Sequence, residues 1–187
     1  MLFRSPLNEL VRAFSCPDKK KITERIEWEE KPSFLVKTEL LAQVSYLPDS
    51  VRKTWLSLDG KIKISAPQDT ESVVFTEAES SETFTTDGTL SGFTVGLLSD
   101  VSDIRDSFLH EIGHMVYDYS FGLNSGYVLP NYETEKDLYL MDEGNGNRYL
   151  TSTPQEYFAE LFSYTMKNKV GKYEDTKVIE EIIEKNF

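Results

Sequence analysis

The chain has 187 residues, which fits one domain of ordinary size and is long enough to bury a core without disulfide bonds. Hydrophobic residues make up 39% of it and aromatic residues 12%, a composition that excludes an intrinsically disordered protein. The 32 acidic residues outnumber the 20 basic ones, the formal net charge is −12, and no basic stripe is present, so we expect no nucleic-acid partner.

The first predicted element is an amphipathic helix at the N-terminus. Its apolar residues recur at helical spacing, unlike the continuous apolar run of a secretion signal, and they are Leu2, Phe3, Leu7, Leu10, Val11 and Phe14. No run in the sequence approaches the roughly 18 apolar residues of a membrane span. The single cysteine, Cys16, cannot form an intramolecular disulfide. A cytoplasmic protein fits these features, as does one exported by another route or one whose signal has been removed.

Helices and then a small sheet are predicted for the rest of the first hundred residues. Residues 22–28 suit a strand or a helix, residues 34–46 carry a helical apolar face, and a further helix begins near Asp49. Turn signals and alternating apolar residues predict the elements of the sheet. These are a strand at 61–64, a strand at 73–75 and a hairpin around Asp87 and Gly88.

The second half is predicted to be helical on either side of an irregular stretch. Helices are expected at 103–119, 153–167 and 178–187 because apolar residues recur there at helical spacing. Residues 120–150 are rich in Gly, Asn, Asp and Tyr and are expected to form a loop.

The whole chain is predicted to form a single α+β domain, residues 1–187. No repeat and no low-complexity linker divides it. We expect the scaffold and the sheet in about residues 1–100 and the helices that carry the chemistry in about residues 101–187.

The helix at 103–119 contains the motif His110-Glu111-Ile112-Gly113-His114. Residues four apart on a helix lie about 40° apart around its axis, so the two imidazoles can bind the same Zn²⁺ ion. Glu111 lies close to that ion without having to bind it, which suits a general base, and Gly113 allows another backbone or a substrate to approach. The alternative is two ordinary helix histidines beside a solvated glutamate. Since the chain has only these two histidines and apolar residues flank them, we favour the metal site.

A catalytic zinc ion usually has three protein ligands, so a third ligand is expected elsewhere. Asp118 follows one helical turn after His114 and suits a supporting group or a competing ligand. Glu156 and Glu160 are again four apart, on an otherwise apolar helix. Thr153 and Glu156 also have the spacing of a capping box, which would explain Glu156 without a metal. We favour Glu156 as a ligand over capping alone.

A hydrolytic zinc site also needs a donor that stabilises the oxyanion of the tetrahedral intermediate. Tyr149 lies on the approach to the helix with Glu156 and is one candidate. Four other tyrosines compete with it at this point: Tyr127, Tyr132, Tyr139 and Tyr157.

Together, the HEIGH motif, Asp118-Tyr119, Tyr149 and the segment Glu156-Tyr157-Phe158-Ala159-Glu160 resemble the catalytic domain of anthrax lethal factor and the related bacterial Pro-Pro endopeptidases. The resemblance covers about residues 110–165. It implies a zinc endopeptidase that hydrolyses peptide bonds through a zinc-activated water, with one zinc ion per chain. The roles that it implies are zinc ligands at His110, His114 and Glu156, a general base at Glu111, an oxyanion donor at Tyr149 and support for a ligand histidine at Glu160.

The resemblance also implies a zincin-like fold, in which a small twisted mixed sheet packs on the motif helix and a helical part follows. The substrate of such a fold lies extended along an edge strand. The stretch 92–97 is the candidate strand here, with Gly92, Phe93, Thr94 and Val95 in contact with substrate. The implied partner is a protein or peptide substrate, with proline-containing segments as one option, and we expect a monomer.

Two other functions fit the same motif. A peptidase that cleaves a repressor in phage or stress responses also uses HExxH and a later Glu, but it usually accompanies a DNA-binding module. The non-enzyme alternative is a domain that keeps the zinc site and acts by binding alone. The intact Glu111 argues against that alternative.

Overall fold

The computed structural model of the protein describes residues 6–66, 79–123, 125–143, 148–167 and 171–187. The helices within these ranges are α1 (Pro6–Phe14), α2 (Lys19–Thr23), α3 (Phe34–Val44), α4 (Asp49–Ser57), α5 (Val101–Phe121), α6 (Tyr132–Asp142), α7 (Pro154–Met166) and α8 (Asp175–Asn186). The strands are β1 (Ile26–Trp28), β2 (Lys61–Ser65), β3 (Glu79–Phe84) and β4 (Leu90–Leu98), and a 3-10 helix, Arg148–Thr151, precedes α7. The strand predicted at 73–75 and the first five residues of the predicted N-terminal helix lie outside the described ranges.

The strands form one mixed sheet in the order β1-β2-β4-β3. β1 and β4 both run parallel to β2, whereas β3 runs antiparallel to β4. Alternate residues of β2 and β4 are buried, and β4 packs against α5. This arrangement confirms the prediction of an α+β fold with a small mixed sheet.

The prediction that residues 92–97 form an edge strand is wrong. β4 is hydrogen-bonded on both sides, to β2 at Val95 and to β3 at Thr94, so its backbone is not available for strand addition. Phe93 and Val95 also belong to the hydrophobic core, which removes the geometric basis for their predicted contact with substrate. Among the described strands, β3 lies at this end of the sheet.

Helices α5 and α7 pack closely against each other, and each begins with a clear cap. The Asp100 side chain accepts hydrogen bonds from the first amides of α5, and α5 ends at Gly122, whose φ of 80° favours glycine. Thr153 caps α7, and Pro154 occupies its first turn. None of the described helices combines the length and the apolar character that crossing a bilayer requires.

Part of the stretch 120–150 is helical, which corrects the prediction of a loop. This helix is α6. Its sequence is largely acidic, but Tyr132 and Tyr139 are buried on the side that faces the core. Both rings pack against Tyr157 of α7, with centroids 5.4 and 6.1 Å from the Tyr157 ring. Tertiary packing between aromatic rings therefore stabilises a helix that its own sequence pattern does not indicate.

Helices α6 and α8 cap each other's N-termini. The Glu135 carboxylate of α6 accepts hydrogen bonds from the backbone amides of Glu174, at 2.8 Å, and Asp175, at 3.4 Å. In return, the buried Asp175 carboxylate accepts from the backbone amide of Asn131, at 3.1 Å, and from its side-chain amide, at 2.9 Å. Each carboxylate thus satisfies backbone or side-chain donors at the start of the other helix.

Candidate metal centre

The two histidines of the motif lie on the inner side of α5, where their rings meet edge to face. The Nε2 atoms of His110 and His114 are 3.1 Å apart, and the ring planes meet at 79°. His110 is buried and His114 is half-buried. Helical spacing alone explains this convergence, because residues i and i+4 lie one above the other on a helix.

Glu156 of α7 completes a group of three potential ligands. Its Oε2 atom lies 3.2 Å from His110 Nε2 and 3.7 Å from His114 Nε2. Ligand atoms at about 2.0–2.1 Å from a tetrahedral zinc ion would be about 3.3 Å apart, close to all three separations. Within the described part of the chain, the buried Oε2 accepts no hydrogen bond of ordinary geometry. The residues therefore fit a metal ion, and His110, His114 and Glu156 could hold one.

The capping role proposed for this part of α7 belongs to Thr153. Its hydroxyl accepts a hydrogen bond from the Glu156 backbone amide at 3.2 Å. The carboxylate of Glu156, by contrast, lies beside the two histidines. Glu156 therefore occupies a capped first turn and still presents its carboxylate to the histidines.

Glu160, one turn after Glu156, lies on the other side of the His110 ring. Its Oε1 atom is 2.7 Å from His110 Nδ1, and its Oε2 atom accepts a hydrogen bond from the Tyr139 hydroxyl at 2.9 Å. Glu160 therefore lies behind the His110 ring, outside the group of three residues that could hold a metal ion. The burial of Tyr139 and the neighbouring carboxylate raise the pKa of its hydroxyl, so that this hydroxyl stays protonated and donates.

Without a metal, His110 and the two glutamates form a tightly coupled set of charges. Burial by itself lowers the pKa of His110, but the contacts with Glu156 and Glu160 outweigh it and raise the pKa to about 10. Burial raises the pKa of Glu156, and the two neighbouring histidines outweigh that effect and lower the pKa to about 2. The metal-free protein therefore holds a proton on His110 at neutral pH.

Glu111 lies beside the three-residue group, and its side chain is 5% exposed. Burial raises the pKa of its carboxyl, while the histidines and the Ser80 hydroxyl of β3 lower it. The single proton of the Ser80 hydroxyl is donated to Glu82 at 2.7 Å, and both of these polar side chains of β3 lie on this side of the site. Ser80 and Glu82 are not predicted from the sequence, because the polar sequence of β3 resembles that of a surface loop.

Asp118 is half-buried and lies on α5 one turn after His114, on the same side of the helix. Burial raises its pKa to about 6, helped by the Glu82 carboxylate and opposed by His114. Asp118 does not belong to the group of three that could hold the metal ion. Its position fits a supporting group better than a ligand.

The tyrosines differ in what their hydroxyls contact. The hydroxyls of three buried tyrosines donate to protein oxygens, Tyr132 to the Thr151 carbonyl, Tyr139 to Glu160 and Tyr157 to Glu135. Tyr127 is half-buried and stacks on Phe121. Tyr149, on the 3-10 helix before α7, is 54% exposed and is the tyrosine of this set that solvent or a substrate reaches most easily.

Comparisons of the chain with family models, with curated proteins and with solved structures found no match. The functional conclusion therefore depends on the geometry of the site and on the chemistry of its residues.

Proposed function

We propose that the protein is a zinc-dependent endopeptidase that hydrolyses a peptide bond in an extended protein segment. The observation that carries this proposal is the convergence of His110, His114 and Glu156, with Glu111 buried beside them. Two imidazoles and one carboxylate are a ligand set that suits zinc and leaves a coordination position free for water or substrate. The resemblance of residues 110–165 to lethal factor and the Pro-Pro endopeptidases supports the same conclusion and a zincin-like fold.

A zinc ion bound by these residues would polarise the substrate carbonyl and lower the pKa of a water molecule. Glu111 accepts the proton of the attacking water and then delivers it to the leaving amine. Burial favours this double role, because it brings the pKa of the Glu111 carboxyl closer to neutral pH. Its position beside the histidines keeps it close to the reacting atoms without making it a ligand.

Tyr149 is our candidate for the donor to the oxyanion. Tyr149 lies in the 3-10 helix that precedes α7, and its exposure leaves its hydroxyl accessible to a bound peptide. A neutral phenol can donate to the negative charge that develops on the carbonyl oxygen. The buried tyrosines are far less accessible to a bound peptide and are weaker candidates.

The substrate strand is best accommodated next to β3. This strand lies at the end of the described sheet, and its Ser80 contacts Glu111. An extended peptide that pairs with β3 would pass the metal centre and gain main-chain hydrogen bonds. This assignment replaces the stretch 92–97 as the strand that binds substrate.

The test compares the wild type with Glu111→Gln on a proteome-derived peptide library with zinc present, and new termini are read by mass spectrometry. We expect cleavage by the wild type and a loss of roughly 10²- to 10⁴-fold in Glu111→Gln, with zinc content unchanged by elemental analysis. Equal cleavage by the two proteins, or no cleavage by a wild type that carries a full zinc complement, would overturn the proposal.

A second variant tests the oxyanion donor. Tyr149→Phe should reduce kcat by roughly 10²- to 10³-fold, as the loss of one oxyanion donor does elsewhere. The thermal midpoint should stay constant, because the side chain is more than half exposed. Tyr119→Phe is the matched control, since Tyr119 is also exposed and its ring packs against Phe187. Equal losses in the two variants would exclude the role of Tyr149.

A further inference from the structure

A continuous set of contacts joins α6 to the candidate metal centre. The Tyr139 hydroxyl donates to Glu160 Oε2 at 2.9 Å, and Glu160 Oε1 lies 2.7 Å from His110 Nδ1, a close ion-pair contact outside the angle of an ordinary hydrogen bond. The opposite nitrogen of the same ring, Nε2, belongs to the three-residue group. Each oxygen of the Glu160 carboxylate thus has its own partner, one on α6 and one on α5.

The ring of Tyr139 is held in place independently of this hydrogen bond. Tyr139 is 4% exposed, and three tyrosine rings surround it: Tyr157, Tyr164 and Tyr173, with centroids 6.1, 6.1 and 5.4 Å away. Close packing of this kind restricts the ring to a single rotamer. The hydroxyl therefore meets the carboxylate at a fixed point.

The direction of these contacts has a chemical consequence for His110. A carboxylate that faces Nδ1 favours the tautomer with its proton on Nδ1, and this tautomer leaves the lone pair of Nε2 free for a metal ion. Glu160 can select that tautomer only while its own carboxylate keeps one orientation. Without the Tyr139 hydroxyl, Glu160 Oε2 would lose its hydrogen-bond donor and the carboxylate could rotate.

We propose that Tyr139 is a positioning residue of the metal centre, which fixes the Glu160 carboxylate and through it the orientation and tautomer of His110. The proposal rests on the zinc-binding part of the proposed function and does not depend on peptide hydrolysis. It makes α6, a helix that contributes no ligand, a determinant of metal affinity.

The test measures zinc affinity by competition with a chelator for the wild type, Tyr139→Phe, Glu160→Gln and the double variant. We expect Tyr139→Phe to weaken binding about 10-fold and Glu160→Gln roughly 10- to 100-fold, the range known for residues that support metal ligands. The double variant should bind like Glu160→Gln alone, because residues that act through one another are not additive. Tyr173→Phe is the matched control from the same aromatic cluster, because the Tyr173 hydroxyl is buried too but makes no hydrogen bond to another described residue.

Cobalt provides a readout that a purely structural role would not change. The visible absorption of the Co²⁺ protein reports the ligand field, so it should shift in Tyr139→Phe and stay unchanged in Tyr173→Phe. Wild-type zinc affinity in Tyr139→Phe, or additive losses in the double variant, would overturn the proposal. So would a wild type that binds no zinc. A wild type that binds zinc but cleaves no peptide would contradict the endopeptidase, while the affinity series would still decide the role of Tyr139.

Discussion

A Cβ atom added to Gly113 would lie 2.6 Å from the Cα of Ala159 and 2.9 Å from its carbonyl oxygen. The missing side chain at residue 113 therefore allows the backbones of α5 and α7 to touch. His110 and His114 lie on either side of Gly113 in the sequence, and Glu156 lies one turn before Ala159. The contact between the two backbones thus sets the distance between the histidines and the Glu156 carboxylate.

The first prediction concerns this contact. In a free helix, Gly113→Ala would be stabilising by about 1 kcal/mol, but overpacking against a backbone costs roughly 1–3 kcal/mol or more. We expect a net loss of about 2 kcal/mol in the free energy of unfolding, measured with urea, because the neighbouring atoms are backbone and cannot rotate away. Zinc affinity should fall as well, since the helices must move apart.

Gly126→Ala is the control for Gly113→Ala. Apart from its two neighbours in the chain, no described residue has a heavy atom within 4 Å of a Cβ built at Gly126. Its stability should change by less than about 0.5 kcal/mol, as for other surface substitutions. Similar losses in the two variants would contradict the close approach of α5 and α7.

A second prediction separates the two roles at the start of α7. Thr153→Ala removes the cap and should cost about 1 kcal/mol of stability, with one zinc ion still bound per chain. Glu156→Gln should instead reduce zinc affinity. The loss should exceed the roughly 10- to 100-fold that is typical when a residue behind a ligand is mutated. Urea unfolding and zinc titration on both variants provide the comparison. Zinc binding by Glu156→Gln at wild-type affinity would show that Glu156 is no ligand.

The third prediction concerns the pH dependence of zinc binding. The carboxylates raise the pKa of His110 to about 10 in the metal-free protein, so the ring is protonated at pH 7.5, and a metal ion must displace that proton. We expect release of about one proton per zinc ion at pH 7.5, and an affinity that rises about tenfold per pH unit until the pH approaches the His110 pKa of about 10. Calorimetry in buffers of different ionisation enthalpy measures the proton count. Zinc binding at pH 7.5 without proton release would contradict the coupled His110.

The fourth prediction concerns Asp118 and uses the metal-free protein. Its pKa is raised from 3.8 to about 6, so the folded state disfavours the charged form. The resulting cost is absent below pH 3.8, grows as the pH rises and is complete above about 6. Asp118→Asn should therefore be more stable than the wild type at pH 7 by on the order of 1 kcal/mol, with no gain near pH 3.5.

Glu82→Gln provides the control for Asp118, because the Glu82 carboxylate contributes to the raised pKa. In a protein that already carries Glu82→Gln, the stability gained from Asp118→Asn at pH 7 should be smaller, as expected for two groups that interact. Unfolding curves at pH 3.5 and pH 7 supply the data. A gain that is the same at both pH values would show that the charge of Asp118 is not its cause.

The parts of the fold that could be predicted from the sequence are those determined by local spacing. The i, i+4 pattern of His110 and His114 places their rings together in any helix, and the Thr153-Pro154 pair marks the start of α7. Those properties need no knowledge of distant residues.

Elements that depend on distant partners could not be predicted in the same way. β3 has the polar sequence Glu-Ser-Ser-Glu-Thr-Phe, which lacks apolar alternation. Nothing in that local sequence therefore indicates that it forms a strand paired with β4. Helix α6 depends on Tyr157, which is remote in sequence. The hydrogen bond between Tyr139 and Glu160 follows from that packing and is equally invisible in the sequence.

The mutual capping of α6 and α8 implies that these two helices open and close as one cooperative unit. Loss of α8 would remove the amides that Glu135 binds and the carboxylate that Asn131 binds, so α6 would be released with it. In native-state hydrogen exchange, the amides of both helices should therefore share one opening free energy. Zinc should slow exchange in α8 as well as in α6, although none of the metal-site side chains belongs to α8.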